Sequence, residues 1–211
     1  HMHAIEQTQS QRHSMQSGSD FRAGSVDMAT NGEKQKFLLY GKNGWIGGML
    51  IELIKAAGDE VVLGNARLEN REAVAAEIDA VKPTRVLNAA GVTGRPNVDW
   101  CEFNKQTVIR TNIIGCLNLA DLCWQRQLHC TLYATGCIFE YDDAHPLGGG
   151  VSTAFTEEDR ANFTGSYYSL TKGFCEEMLR AYLDHLTVLR VRMPISDDLS
   201  PRNFITKISK Y

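Results

Sequence analysis

The sequence predicts an α/β domain built on a doubly wound parallel sheet, and three observations carry that expectation. From Lys36 onward, short apolar runs alternate with longer amphipathic stretches, the order that parallel strands with helical crossovers require. The first apolar run ends on a glycine triplet that opens a helical pattern. No internal repeat competes with this reading, and the longest apolar runs, such as residues 37–40, are far too short to span a bilayer.

Taken in order, Lys36–Tyr40 (KFLLY) reads as a buried strand ending at Gly41. Residues 45–57 then place Ile46, Met49, Leu50, Leu53 and Ile54 at helical spacing, and Gly58 stops that helix. Glu60–Leu63 (EVVL) is the second strand, 72–81 a second helix closed by Pro83, and 85–87 the third strand. One long helix is expected over 106–126, with Ile109, Ile113, Leu117, Ala120 and Leu122 near one stripe. A fourth strand at 131–134, a loop around Gly148-Gly149-Gly150, a helix at 169–183 and a fifth strand at 188–192 complete the pattern. The folded part is thus expected over residues 35–211, the last stretch beginning a substrate-binding segment. Residues 1–34 are rich in Gln, Ser, Gly and Asn without apolar periodicity, and read as a disordered tail whose His1-Met2 resembles a cloning scar.

Composition excludes several classes of function. Of the 211 residues 43% are hydrophobic and 22% charged, and the net charge of −3 offers no basic field for nucleic acid. The cysteines, Cys101, Cys116, Cys123, Cys130, Cys137 and Cys175, form no C-x-x-C pair, and no signal peptide precedes them. Reduced thiols in a cytoplasmic protein, with no membrane contact and no metal site, are the expectation. From Cys116 to Cys137 the cysteines fall seven apart, but the run crosses helix, turn and strand and reads as coincidence.

The loop Gly41-Lys42-Asn43-Gly44-Trp45-Ile46-Gly47 sits between a strand and a helix. In that position glycines permit a tight turn, close backbone approach to a pyrophosphate, and tight helix–strand packing. The helix N-terminus adds free N–H groups and positive dipole for the phosphates. This gives a Rossmann-like site for a nicotinamide dinucleotide. At the end of the second strand, Leu63-Gly64-Asn65-Ala66-Arg67 contains no acid to hold ribose hydroxyls, while Arg67 and Arg71 lie nearby. A guanidinium suits a 2′-phosphate, so NADPH is expected, with NADH possible.

Tyr168 and Lys172 form a Y-x-x-x-K pair on a helix, where residues four apart share a face. A lysine cation stabilises phenolate, which equips a tyrosine to hand a proton to an alkoxide as hydride reaches a ketone. Together with the glycine loop and Asn88-Ala89-Ala90-Gly91 after the third strand, the chain resembles the extended, nucleotide-sugar branch of the short-chain dehydrogenases/reductases. That resemblance implies that Thr135 donates a hydrogen bond to the substrate oxygen and that Asn112 supports a proton-relay water. It also extends the cofactor contacts to Asn88, Ala89, Ala90, Gly91, Pro194 and Ile195.

Longer stretches narrow the resemblance. They run over residues 88–102 and 134–141, and include Arg192-Met193-Pro194-Ile195-Ser196 and residues 201–207. They are similar to the eukaryotic nucleotide-rhamnose synthase/epimerase-reductases, relatives of dTDP-4-dehydrorhamnose reductase. The resemblance implies 3,5-epimerisation of UDP-4-keto-6-deoxyglucose and reduction at C4, giving UDP-L-rhamnose. The C4 ketone acidifies the hydrogens on both neighbouring carbons, so one acid/base pair serves both centres through an enolate. Cys137 and Lys207 match the family's epimerisation pair. Arg95 and Asn97, on a loop facing the cleft, are expected to meet the sugar or diphosphate, with Thr93, Tyr141, Asn162 and Arg202 as further substrate contacts.

Relatives of this kind continue past the fifth strand into a segment that closes over the nucleotide. The substrate cradle is therefore expected to be incomplete here, with NADPH bound but turnover poor. A homodimer is a possible assembly. Two rivals share the cofactor site. One is an epimerase/reductase for a GDP-linked 4-keto-6-deoxymannose, of the GDP-L-fucose synthase type, against which Thr135-Gly136-Cys137 and the Gly-Arg-Pro-Asn loop speak. The other is a non-catalytic NADP-binding regulatory subunit, for which Cys137 and Lys207 have no use.

Overall fold

The computed structural model describes residues 33–209, so the expectation for the amino-terminal tail lies outside the described residues apart from Glu33 and Lys34. Its five strands are β1 (Lys36–Tyr40), β2 (Glu60–Leu63), β3 (Arg85–Asn88), β4 (His129–Thr135) and β5 (Leu186–Val191). All pair in parallel, in the order β2-β1-β3-β4-β5. The chain therefore leaves β1 toward one edge, returns over it, and then advances toward the other. The order reverses between β1 and β3, which opens a crevice beyond their carboxyl ends.

Helix α1 (Trp45–Ala56) joins β1 to β2, and α2 (Arg71–Val81) joins β2 to β3. Side chains alternate across β1, and the two faces bury different helices. Leu39 and Leu87 meet Leu50, Ile51 and Ile54 of α1 on one face. Leu38, Tyr40 and Val86 meet Val74 and Ile78 of α2 on the other, in the larger core. Two further helices, α5 (Gly115–Gln125) and α6 (Tyr167–Leu179), extend that core through Leu119, Leu122, Cys175 and Leu179.

The long helix expected over 106–126 is interrupted. Short turns α3 (Trp100–Phe103) and α4 (Lys105–Val108) come first, then a π-helical turn over Ile109–Ile114, and only then α5. The apolar stripe is compatible with an α-helix throughout, but Asn112 is anchored sideways to the β3 loop, and the wider turn accommodates it. β4 begins two residues earlier than expected, because His129 and Cys130 pair in register with β3 at Arg85 and Val86. Helix α6 ends at Leu179 and passes into a tighter 3₁₀ turn at Arg180–Tyr182. A final short helix, α7 (Phe204–Ile208), was not expected; Asn203 caps it by accepting from Ile205 N at 3.1 Å.

Four of the six cysteines lie in the larger core. Cys116 and Cys123 lie two turns apart on the buried side of α5. Cys130 of β4 hydrogen-bonds with Cys123, and Cys175 of α6 with Cys116. Only the Cys123–Cys130 contact joins neighbours in the seven-residue spacing; the partner of Cys116 lies outside it.

Candidate active site

The glycine loop turns at the carboxyl end of β1. Gly41 has φ +91°, and a Cβ on it would fall 2.3 Å from the Ala89 carbonyl carbon. A Cβ on Gly47 would fall 2.2 Å from the Gly41 carbonyl oxygen. These glycines are therefore required by chain packing itself. Gly44 is less constrained, its Cβ standing 3.2 Å from Gly41 O, and it is the N-cap of α1. No side chain caps that terminus, and its first turn carries no acid, so its N–H groups are available to a diphosphate. Asn43 is exposed, while Trp45 and Ile46 are half-buried; Trp45 Nε1 donates to Asp198 Oδ2 at 3.0 Å, tying the loop to the segment after β5.

At the end of β2 the loop is pinned by Glu77, whose carboxylate accepts from Asn65 N at 2.8 Å and Ala66 N at 3.2 Å. Lys42 Nζ donates to Asn65 Oδ1. Arg67 is 77% exposed and pairs with Glu69 at 3.3 Å. Arg71 is turned away, its guanidinium bound to Asp121 and its Nη1 donating to Asn118 O at 3.5 Å, which ties α2 to α5.

Tyr168 and Lys172 occupy the first turns of α6, capped by Ser166, which accepts from Ser169 N at 3.1 Å. The Glu102 carboxylate accepts from Tyr167 N at 2.6 Å and fixes this helix start to α3. Both catalytic candidates are buried, and Tyr168 packs against Cys101 and Val108. Asn112, fully buried, bonds both ways with Val92: its Oδ1 accepts from Val92 N at 2.9 Å and its Nδ2 donates to Val92 O at 2.8 Å. Asn88 acts similarly at the start of the same loop, its Oδ1 accepting from Ala90 N at 3.0 Å and its Nδ2 pointing at Cys116 Sγ at 3.6 Å. The Asn88–Val92 backbone is thereby held against the π-helical turn and α5.

Burial alone would pull the Lys172 pKa down, but the negative potential of Cys116, Tyr168, Cys175 and Glu176 carries it above the ordinary lysine value. That direction favours the cationic form of a side chain that is itself buried. The Cys116 thiol responds in kind: a hydrogen bond with Cys175 draws its pKa down against the cost of burial, helped by the Lys172 ammonium and the Asn88 amide.

Thr135 ends β4, paired with Val191 of β5. It is buried, and its Oγ1 accepts from Cys137 N at 3.1 Å, so the hydroxyl proton is left to donate elsewhere. Cys137 is partly exposed two residues beyond. Lys207 lies exposed on α7, which is joined to the post-β5 segment by Phe204 N donating to Pro194 O at 3.2 Å. Among the described residues no hydrogen bond or ion pair links Lys207 to Cys137. Ile195 is 63% exposed beside that segment.

The other candidates fall on the surface around these strand ends. Thr93 and Arg95 are exposed. The Asn97 amide is used locally, donating to Asp99 Oδ2 at 2.9 Å. Tyr141 is 65% exposed, and Arg202 is exposed. Asn162 serves as a strut, donating to Glu140 O at 3.0 Å and Asp142 Oδ2 at 2.9 Å and accepting from Glu140 N at 2.9 Å. A shallow depression of about 420 Å³ between Asp79, Lys82 and Arg126 lies at the opposite, amino-terminal ends of β3 and β4. There the Asp79–Arg126 pair at 2.7 Å satisfies its charges. The strand carboxyl ends, where Asn88, Asn112, Thr135 and Lys172 are buried, are the candidate site.

Comparison with known proteins identifies the family. The family model described as the RmlD substrate binding domain matches residues 35–210. A bifunctional dTDP-4-dehydrorhamnose 3,5-epimerase/dTDP-4-dehydrorhamnose reductase of Arabidopsis thaliana is 58% identical over 176 residues, covering 83% of this chain and 58% of its own length. A trifunctional UDP-glucose 4,6-dehydratase/UDP-4-keto-6-deoxy-D-glucose 3,5-epimerase/UDP-4-keto-L-rhamnose-reductase of the same plant is 56% identical, covering 86% of this chain and 28% of its own length. Among solved structures, the UDP-rhamnose synthase of Acanthamoeba polyphaga mimivirus superposes with a TM-score of 0.78 at 36% identity, covering 85% of this chain and 63% of that one. The chain thus spans less than two thirds of the length of these relatives.

Proposed function

The chain belongs to the RmlD substrate binding domain family, and from that membership we propose that it carries the cofactor-binding and catalytic half of a 3,5-epimerase/4-reductase that turns UDP-4-keto-6-deoxyglucose into UDP-L-rhamnose with NADPH. The observation that carries this reading is the buried Tyr168–Lys172 pair of α6, with Lys172 Nζ and Asn112 Oδ1 converging on Gly91 and Thr135 buried at the end of β4. The names of the two plant relatives join rhamnose epimerisation to reduction, and that of the viral structure is a UDP-rhamnose synthase; all three support the same substrate class.

Each residue has a role that follows from its place. Gly41, Gly44 and the α1 N-terminus receive the diphosphate, and when bound the nicotinamide supplies the hydride for C4. Thr135 donates to the C4 oxygen, and Tyr168 gives that oxygen its proton, with the Lys172 cation beneath to stabilise the phenolate left behind. Before reduction, the same C4 ketone lets Cys137 and Lys207 exchange protons at C3 and C5 from opposite ring faces. Arg95 on the β3 loop and Arg202 before α7, both exposed, are assigned to the diphosphate of the sugar nucleotide. Within the described residues no helix is long and apolar enough to cross a membrane.

The test is to supply UDP-4-keto-6-deoxyglucose and NADPH, follow nicotinamide absorbance, and identify the product sugar. UDP-L-rhamnose with stoichiometric oxidation supports both chemistries. Tight NADPH binding without oxidation, in this chain and in one extended to the length of its relatives, overturns the proposal in favour of a binding subunit.

A further inference from the structure

We propose that Lys42, rather than Arg67 or Arg71, is the residue that selects NADPH by receiving the adenosine 2′-phosphate. The inference rests on the nicotinamide-cofactor reading above and assigns the specificity of that same site.

In a sheet of this order the adenosine ribose lies beyond the end of β2, where a carboxylate commonly holds its 2′- and 3′-hydroxyls. Here that position carries Asn65, a neutral amide, and the ammonium of Lys42 reaches across from the glycine loop to its Oδ1. The contact places a cation between the diphosphate loop and the β2 end, the two features that flank the ribose. An ammonium has three donors, and only one goes to Asn65. No carboxylate pairs with Lys42 among the described residues, so its charge is uncompensated. The carboxylate that pins the β2 end, Glu77, is engaged with the Asn65 and Ala66 N–H groups.

The arginines lack these properties. Arg71 is committed to Asp121 and the Asn118 carbonyl, bridging α2 to α5. Arg67 is neutralised by Glu69 and extends into solvent, where a pair contributes little directional binding. Lys42 is half-buried instead, and a phosphate dianion there gains a charge-assisted hydrogen bond without first breaking an ion pair. The Asn65 amide, released from Lys42, adds a second donor.

The experiment measures direct binding of NADPH and of NADH by calorimetry or nicotinamide fluorescence, with no sugar substrate present. It compares the parent chain with Lys42→Gln, Asn65→Asp and Arg67→Gln. Lys42→Gln is expected to weaken NADPH by about 10- to 100-fold while NADH changes less than about twofold and the melting temperature is unmoved. Asn65→Asp, which restores the carboxylate, is expected to shift preference toward NADH. Equal losses for both cofactors in Lys42→Gln would mean that it holds only the shared diphosphate, and would overturn the assignment. So would a selective NADPH loss confined to Arg67→Gln, or a parent chain that binds both cofactors equally. A parent chain that binds neither removes the cofactor reading itself, and with it this one.

Discussion

Asn112 Oδ1 and Lys172 Nζ converge on one backbone position: a Cβ built on Gly91 would stand 3.5 Å from each. The asparagine comes from the π-helical turn before α5 and the lysine from α6, so three elements meet where the β3 loop enters the cleft. Asn112 also holds Val92 by both its N–H and its carbonyl. Replacing it by alanine leaves two backbone groups without partners. Asn112→Ala is therefore expected to destabilise the fold by about 2–4 kcal/mol, read from urea denaturation. A loss below about 0.5 kcal/mol would show that the Val92 backbone finds other partners.

The glycine loop separates structural from cofactor requirements. Gly41 has a positive φ and sits against the Ala89 backbone, so Gly41→Ala drives a Cβ into atoms that cannot yield. Its expected effect is on folding: a melting temperature lower by several degrees, or no soluble protein. Gly44→Ala meets only the Gly41 oxygen at 3.2 Å, a contact relieved by a few tenths of an ångström. There the melting temperature should stay within about 2 °C, while NADPH affinity falls about tenfold or more, because the added methyl occupies the space a diphosphate needs. Similar affinity in Gly44→Ala and the parent would place the diphosphate elsewhere.

Much of this architecture is legible in the sequence. Lys36–Tyr40 and Glu60–Leu63 have the bounds that their apolar runs suggest, because short strands between glycine and turn residues leave few alternatives. The Tyr168–Lys172 pairing is legible from spacing alone, since a helix fixes which residues share a face. The π turn at Ile109–Ile114 is not, because Ile109, Ile113 and Leu117 keep an α-like period while the turn is set by Asn112 bonding across to Val92. The cysteine contacts are hidden for the same reason: Cys116 meets Cys175 only once α5 and α6 pack. Likewise Arg71 reads as a basic residue near the ribose until α5 brings Asp121 against it. Local pattern gives elements and faces; which polar group finds which partner is decided by tertiary contact.

Stability toward acid should carry a signature of His129. Its pKa lies below the ordinary histidine value, first because of burial and then because Arg85 and His185 repel a charged ring. Thr187 Oγ1 also lies against its Nε2 at 3.0 Å. The unfolded chain therefore takes up a proton at a higher pH than the folded one. Stability then falls as pH drops through about 6.5, and the fall ends once the folded form is protonated too. His129→Gln should remove that component, so its denaturation free energy should decline less than the parent's between about pH 7 and pH 5. Parallel curves for the two proteins would contradict the direction of the shift.

The proposed epimerisation and reduction draw on different residues around one ketone, so single substitutions should separate them. In the proposed reaction Tyr168 acts on the oxygen at C4, whereas Cys137, two residues beyond the end of β4, is assigned to the carbons beside it. With NADPH and substrate, Tyr168→Phe should lower oxidation of the cofactor by about 10²–10⁴-fold, the usual contribution of a positioned general acid. In D₂O the same variant should still incorporate deuterium at C3 and C5, because the ketone can remain polarised by Thr135. Cys137→Ala should do the reverse to exchange, abolishing it at one or both carbons, and should slow reduction only because the ketone that reaches C4 chemistry keeps the wrong configuration. Mass spectrometry of the recovered sugar nucleotide distinguishes the cases. If Tyr168→Phe loses exchange as completely as Cys137→Ala does, the phenol is itself the acid/base of the epimerisation, and the division of labour drawn from their positions is wrong.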